Sequence, residues 1–167
     1  MADVKSLNNQ LILREEALRY SIELLFFAYR DFTAEADEIL ARRDLGRAHH
    51  RVIYFVGREP GITITALLAI LNITKQSLSR VLNKLVDDGY VDLRQGQDDK
   101  RQRLLSLTTR GRELEAELTA VQRRRFSKAY KAAGFTSADG FLAVMQEMLD
   151  PDTKNLLQPH VHRNAGD

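Results

Sequence analysis

The sequence predicts a mainly α protein, a winged helix-turn-helix with long N- and C-terminal helices forming a dimerisation lobe. Three observations lead there. Residues 74–88 put Leu78, Val81, Leu82 and Leu85 on one side, the stripe of a helix lying on a core. The opposite side carries Gln76, Arg80, Asn83 and Asp87, flanked by Ser77, Ser79 and Lys84. Just downstream, the polar run from Arg94 to Arg103 interrupts two short apolar stretches, as the charged tip of a hairpin does.

The elements follow in order. Residues 9–43 form one helical pattern without Gly or Pro. Leu18, Ile22, Leu25, Tyr29, Phe32, Ala36 and Ile39 recur at spacings of three and four, while Leu24, Phe26 and Phe27 lie partly outside that stripe. A helix apolar on more than one face needs more than one wall, and a second copy of the chain is a natural partner. A second helix begins at Leu45-Gly46-Arg47 and runs to about Gly57, and Arg58-Glu59-Pro60-Gly61 is a turn. Thr63 caps a helix over Ile64–Leu71, and Thr74 caps the polar-faced helix, each hydroxyl accepting from a backbone N–H beyond it. Gly89 suits the left-handed position that ends that helix.

Val91 and Leu93 alternate with polar neighbours, as do Leu105 and Leu107, giving an antiparallel strand pair. Thr108 caps a long helix to about Ala133, and Gly134 stops it. Thr136 with Asp139 reads as a capping box opening a last helix, with Phe141, Leu142, Val144, Met145, Met148 and Leu149 inside. Residues 151–167 read as a tail. The expected organisation is a single chain over 1–167, with a winged lobe at 46–108 and a dimerisation lobe from 9–43 and 109–150.

Bulk properties narrow the function. At 167 residues the chain buries roughly 70% of its unfolded surface and needs no staples. It has no Cys, so disulfides, thiol redox sensing and Cys-based zinc sites are excluded. No apolar run is long enough for a bilayer and the N-terminus has no signal-peptide pattern, so a cytoplasmic protein without membrane contact is expected. The net charge is only +2, but Lys75 to Arg110 holds 8 basic and 5 acidic residues. The positive charge therefore gathers around the polar helix and the hairpin, where duplex DNA is the expected ligand.

The ordered series also resembles the MarR family of dimeric bacterial transcription regulators. The residues carrying the likeness are Thr63-x-x-x-Leu67, Asn72-Ile73-Thr74-Lys75-Gln76-Ser77-Leu78-Ser79-Arg80, Leu85-x-x-x-Gly89-Tyr90-Val91, Asp99-Lys100-Arg101 and Leu107-Thr108-x-x-Gly111. The segment from Leu45 to Arg51 resembles the PetP-like subgroup. The resemblance implies a homodimer binding a pseudo-palindromic operator, two recognition helices entering successive major grooves.

On that frame Gln76 and Asn83 suit adenine, Arg80 suits guanine, and Ser77, Ser79 or Lys84 suit phosphates. Thr63, Thr74 and Lys75 belong to the same DNA-facing set. In the wing, Asp99 and Arg101 share a face and can pair, which would aim the guanidinium. The resemblance implies that Arg101 enters the minor groove. Lys100, Arg94 and Arg103 suit phosphates, though Arg103 can equally be structural. A winged module that binds protein without DNA is the alternative, and Lys75, Arg80 and Lys84 argue against it. No nucleophile–base spacing, phosphate loop or metal pattern points to an enzyme, and no cofactor is expected.

His49 and His50 point about 100° apart on a helix, so they would not hold one ion together. One is expected in the core and one at the dimer or lobe interface. Arg123-Arg124-Arg125 reads as the solvated face of its helix. A hydrophobic crevice is expected where the two lobes meet, walled by Phe27, Tyr29, Arg30, His49, Arg51 and Tyr54. Arg30 or Arg51 would hold a small aromatic or anionic effector there, of the kind the family binds. The same residues could instead only pack the lobes together.

Overall fold

The computed structural model describes Ile12 and residues 14–96 and 101–161, the last four of these by backbone alone. The elements in chain order are α1 (Glu15–Ala41), α2 (Arg47–Arg58), β1 (Ile62–Thr63), α3 (Ile64–Leu71) and α4 (Lys75–Asp87), then β2 (Val91–Gln95), β3 (Arg103–Leu107), α5 (Thr109–Ala133), α6 (Phe135–Glu147) and α7 (Pro151–Val161).

Three threonine caps define the winged lobe, each satisfying a helical N–H that has no intrahelical partner. Thr63 Oγ1 accepts from Ala66 N at 3.1 Å, and Thr74 Oγ1 accepts from Ser77 N at 3.2 Å. Thr108 Oγ1 accepts from Gly111 N at 3.0 Å and donates to Gly89 O at 2.7 Å, tying α5 to the end of α4. Between α3 and α4, Asn72 takes a left-handed conformation (φ 48°) and makes the turn. Gly111 lies against Tyr90, whose carbonyl oxygen would be 2.0 Å from an added Cβ. No other residue fits there without moving backbone.

The sheet holds one strand more than the sequence predicts. Ile62 and Thr63 pair with Leu105 and Leu104, so β3 is central in the order β1-β3-β2. Two residues are too few to show alternation, so this pairing had no sequence signal. The predicted hairpin is present, with Val91 opposite Leu107 and Gln95 opposite Arg103.

One core joins these elements. Leu78, Leu82 and Leu85 of α4 meet Val52, Ile53 and Val56 of α2, with Leu105 and Val91 of the sheet. Ala36, Ile39 and Leu40 of α1 and Leu114, Leu118 and Val121 of α5 belong to the same core. It therefore runs continuously across the lobe boundaries read from the sequence.

Two C-terminal expectations need correction. α6 starts at Phe135, with Gly134 (φ 88°) at its N-cap and no side-chain cap, so Thr136 lies inside the first turn and the Thr136–Asp139 capping box does not form. Instead the Gly134 carbonyl accepts from Ser137 N at 3.1 Å. The segment read as a tail from residue 151 contains helix α7, whose Lys154 pairs with Glu147 at 3.2 Å.

Candidate nucleic-acid interface

The polar side of α4 is available to a large partner because its apolar side is used up. Leu78, Leu82 and Leu85 are buried, while Lys75, Gln76, Ser77, Ser79, Arg80 and Asn83 are exposed. The helix thus lies on the core by one face and presents amide, hydroxyl and guanidinium groups from the other. Thr74 is exposed at its N-terminus and engaged as its cap, its hydroxyl also donating to Ser77 Oγ at 2.9 Å. Thr63 is only half-exposed and is occupied as the α3 cap.

Lys84 departs from the expectation of a phosphate contact. It is half-buried, with Nζ 3.2 Å from both Asp44 and Asp88. Hydrogen bonds to these two carboxylates raise its pKa above the ordinary lysine value. Asp44 lies in the α1–α2 turn, so this clasp fastens α4 to the end of α1. Only the fold brings Asp44 to Lys84, forty positions apart in the chain.

The wing carries Arg94, Arg101 and Arg103, all exposed. Arg94 approaches Asp92 at 3.8 Å. Asp99 and Lys100 lie outside the described residues, and with them the expected Asp99–Arg101 pair. The hairpin is closed by Gly96 N donating to Gln102 O at 3.0 Å. Arg110 was not singled out in the sequence. Its guanidinium lies 4.5 Å from the Tyr90 ring centroid and donates to the Asp88 carbonyl at 2.9 Å, which braces α5 against the C-terminus of α4.

A cavity of about 730 Å³ opens behind α2, on the side away from α4. Tyr29, Arg51 and Tyr54 line it, as the sequence grouped them. Phe27, Arg30 and His49 do not. Phe27 and Arg30 sit together on exposed α1, the guanidinium 4.8 Å from the ring centroid and Nε 3.1 Å from Asp31. His49 turns the other way, where Nδ1 accepts from Gly46 N at 3.0 Å and the ring faces Lys84. Its neighbour His50 lines the cavity instead, because adjacent helical positions point about 100° apart. Both imidazoles are half-buried, and burial is the first cause lowering each pKa below its ordinary value. Asp37 and Glu115 partly oppose this at His50.

The far wall comes from α5 and the start of α6, with Arg123, Phe126, Tyr130, Lys131 and Phe135. The sequence did not group these with the crevice, although Thr119, Arg123, Phe126 and Tyr130 recur at helical spacing. Arg123 and Arg124 are both exposed, as the solvated-face reading expects, and Arg123 also borders the cavity while Arg124 pairs with Glu35 of α1. Arg47 also lines the cavity, and its hydrogen bond to Asp37 raises its pKa above the ordinary arginine value. Arg51 donates to Tyr29 Oη at 3.3 Å, linking α2 to α1. One side of α2 thus lines the cavity, and the other packs on α4.

Among the described residues no cluster of three metal-ligating side chains occurs, and no helix is long and apolar enough to cross a membrane.

Comparison with known proteins places this architecture. The HTH-type transcriptional regulator PetP of Rhodobacter capsulatus is 54% identical over 141 residues, covering 84% of this chain and 85% of that protein. A crystal structure of NadR in complex with 4-hydroxyphenylacetate superposes with a TM-score of 0.63 at 20% identity, covering 74% of this chain and 88% of that one. An S. aureus MepR F27L mutant bound to an oligodeoxyribonucleotide gives 0.55 at 18% identity, covering 77% and 94%. The sequence model of the MarR family matches residues 43–102, the α2-to-wing segment that contains the polar helix face. With the three-stranded winged sheet, the capped helix pair and this relationship together, the chain belongs to the MarR family and is a transcriptional regulator of that type.

Proposed function

We propose that the chain binds a pseudo-palindromic DNA operator sequence-specifically as a homodimer, and that a small aromatic or anionic effector in the α1–α2–α5 cavity modulates the binding. The activity is binding rather than catalysis, and its place is the cytoplasm. The exposed row Lys75, Gln76, Ser79, Arg80 and Asn83 on a helix anchored by its other face carries this reading. Arg80 and Asn83 have the donor geometry for guanine and adenine edges, and Lys75 and Ser77 suit phosphates near the helix N-terminus. Arg101 suits the minor groove, and Arg94, Lys100 and Arg103 suit the flanking backbone. The oligonucleotide-bound MepR structure, similar in fold, supports this docking.

The dimer reading rests on apolar surface that one chain leaves uncovered. Ile22, Leu25, Phe26, Leu142, Val144 and Met148 are all exposed by more than 40% of their surface, which marks a surface that meets another protein. Pairing two copies through α1 and α6 would bury it and set the distance between the two recognition helices.

The effector reading rests on the cavity's aromatic walls and cations and on the shared helix α2. The ligand-bound NadR structure, similar in fold, supports it. A ligand bound there changes DNA affinity only if it prefers one spacing of the recognition helices over another.

The test is to select bound fragments from genomic DNA, then titrate a selected duplex and a scrambled one against the protein at several salt concentrations. Tighter binding of the selected duplex, weakening with salt, is expected. Equal, salt-insensitive binding of both would leave the winged fold as a protein-interaction module.

A further inference from the structure

We infer that Arg110 is a positioning residue for DNA binding: it locks α4 to α5 at a fixed angle and so sets the half-site separation that the proposed dimer accepts. This rests on the dimeric DNA-binding reading above and adds the residue that holds its geometry.

The inner face of α4 does not by itself fix the direction of the helix. Leu78, Leu82 and Leu85 hold it on the core, but apolar contact is non-directional and tolerates a small tilt. Direction comes from oriented bonds, and α4 has these at its C-terminal end. Among the described residues no side chain from Lys75 to Arg80 hydrogen-bonds or ion-pairs with another element.

Asp88 is the junction. Its carboxylate takes Lys84 at 3.2 Å. Its carbonyl, which has no intrahelical donor at the helix end, accepts from Arg110 Nη1 at 2.9 Å. Arg110 Nη2 donates to Tyr90 Oη at 3.2 Å, and the guanidinium carbon lies 4.5 Å from the Tyr90 ring centroid. Tyr90 is buried, so the guanidinium rests on a fixed platform. A cation there also suits the negative end of the α4 dipole. Two bonds from one planar fork define an orientation, which a single bond from a lysine does not.

The backbone around Arg110 removes the remaining slack. Thr108 N donates to Tyr90 O at 3.1 Å, and the Thr108 hydroxyl donates to Gly89 O. Gly111 lies too close to the Tyr90 carbonyl to accept a side chain. Residues 88–90 and 108–111 thus form one joint between the end of α4 and the start of α5. From that joint α5 runs 25 residues, ~37 Å, and packs on α1, where Arg43 pairs with Glu117 and Arg124 with Glu35. The apolar surface that a second copy would cover lies on α1. The joint therefore refers the direction of α4 to the proposed dimer interface.

A small change at the joint is large at the DNA. α4 has 13 residues, so its N-terminal end lies ~20 Å from the joint. A tilt of about 10° moves that end by ~3 Å, one base-pair step.

The experiment uses the full-length protein and three duplexes, with the two half-sites at the selected separation, one base pair closer and one base pair farther apart. Wild type should prefer the selected separation. Arg110→Ala should bind that duplex about tenfold more weakly, the low end for a charge-assisted hydrogen bond because the fork is exposed. Its binding to the other two should barely change, so the preference flattens, while the preferred half-site bases stay the same. Arg110→Lys keeps the charge and loses the two-point brace, and it should flatten the preference as well. A preference that survives Arg110→Ala, or that Arg110→Lys fully retains, would overturn the inference and leave the dimer reading standing. A salt slope smaller by about one unit in Arg110→Ala would also overturn it, by making Arg110 a phosphate contact. A wild type indifferent to separation would remove the dimer reading and this inference together.

Discussion

The winged lobe and the α1–α6 region manage their apolar surface in opposite ways. Within the winged lobe nearly every large hydrophobic side chain is covered, and among the described residues only Val86 and Leu93 are exposed there. Along α1, Leu18, Ile22, Leu24, Leu25 and Phe26 all face outward, and on α6 Phe141, Leu142 and Val144 do the same. The first region completes its core from one chain. The second holds together within the chain through the Phe32–Phe126 and Phe126–Phe141 ring contacts and the Arg124–Glu35 and Arg43–Glu117 pairs, and leaves the rest open. The winged lobe is thus a finished unit, whereas α1 and α6 leave apolar surface that a second copy would cover under the proposed dimer. Under the proposed dimer, DNA affinity could then change without unfolding the winged lobe.

The sharpest way to break that contrast is Leu25→Glu. If a second copy covers α1, the new carboxylate is buried unpaired and costs about 3–5 kcal/mol. Light scattering should show monomer or aggregate, and operator affinity should collapse although the winged lobe is untouched. A dimer of unchanged affinity would mean that α1 is not the interface.

Arg80→Ala tests the other region and leaves assembly alone. It should weaken specific binding by about 1–3 kcal/mol and relax preference at one base position. An unchanged selected motif would show that this face of α4 does not read bases.

Lys84→Ala separates support from contact. Because Asp44 and Asp88 already hold the ammonium, the dependence of affinity on salt should keep its slope while the melting temperature falls. A slope smaller by about one unit would return Lys84 to the phosphate contacts.

The smallest expected effect is on pH dependence at the α2 seam. His49 and His50 both titrate below their ordinary value of 6.5, chiefly through burial. The unfolded chain therefore binds more protons than the folded one as pH drops past that value, so stability is full above it and declines below. His50→Gln should flatten the decline in a melting-temperature series, and an unaltered profile would assign it to other groups.

Local signals made the reading head legible. Threonine caps act over three residues, and a buried leucine stripe needs only helical spacing, so Thr63, Thr74, Thr108 and the Leu78–Leu82–Leu85 face could be found from the chain alone. The α6 start was misplaced because Thr136 and Asp139 imitate a capping box that begins within the first turn of the helix Gly134 opens. The cavity was legible only in part. Tyr29, Arg51 and Tyr54 lie near one another in sequence-neighbouring helices, whereas Arg123, Phe126 and Lys131 reach it from a helix some seventy residues away.

By itself the sequence determined the order of the elements from α1 to α6 apart from β1, the exposed polar face of α4 and the family, because these follow from spacing along the chain. Tertiary structure alone decided that Ile62–Thr63 joins the sheet, that Lys84 serves Asp44 and Asp88, and that His50 lines the cavity while His49 faces α4. Each of these depends on which distant segment packs alongside, and side-chain chemistry at a single position does not encode its neighbour across the fold.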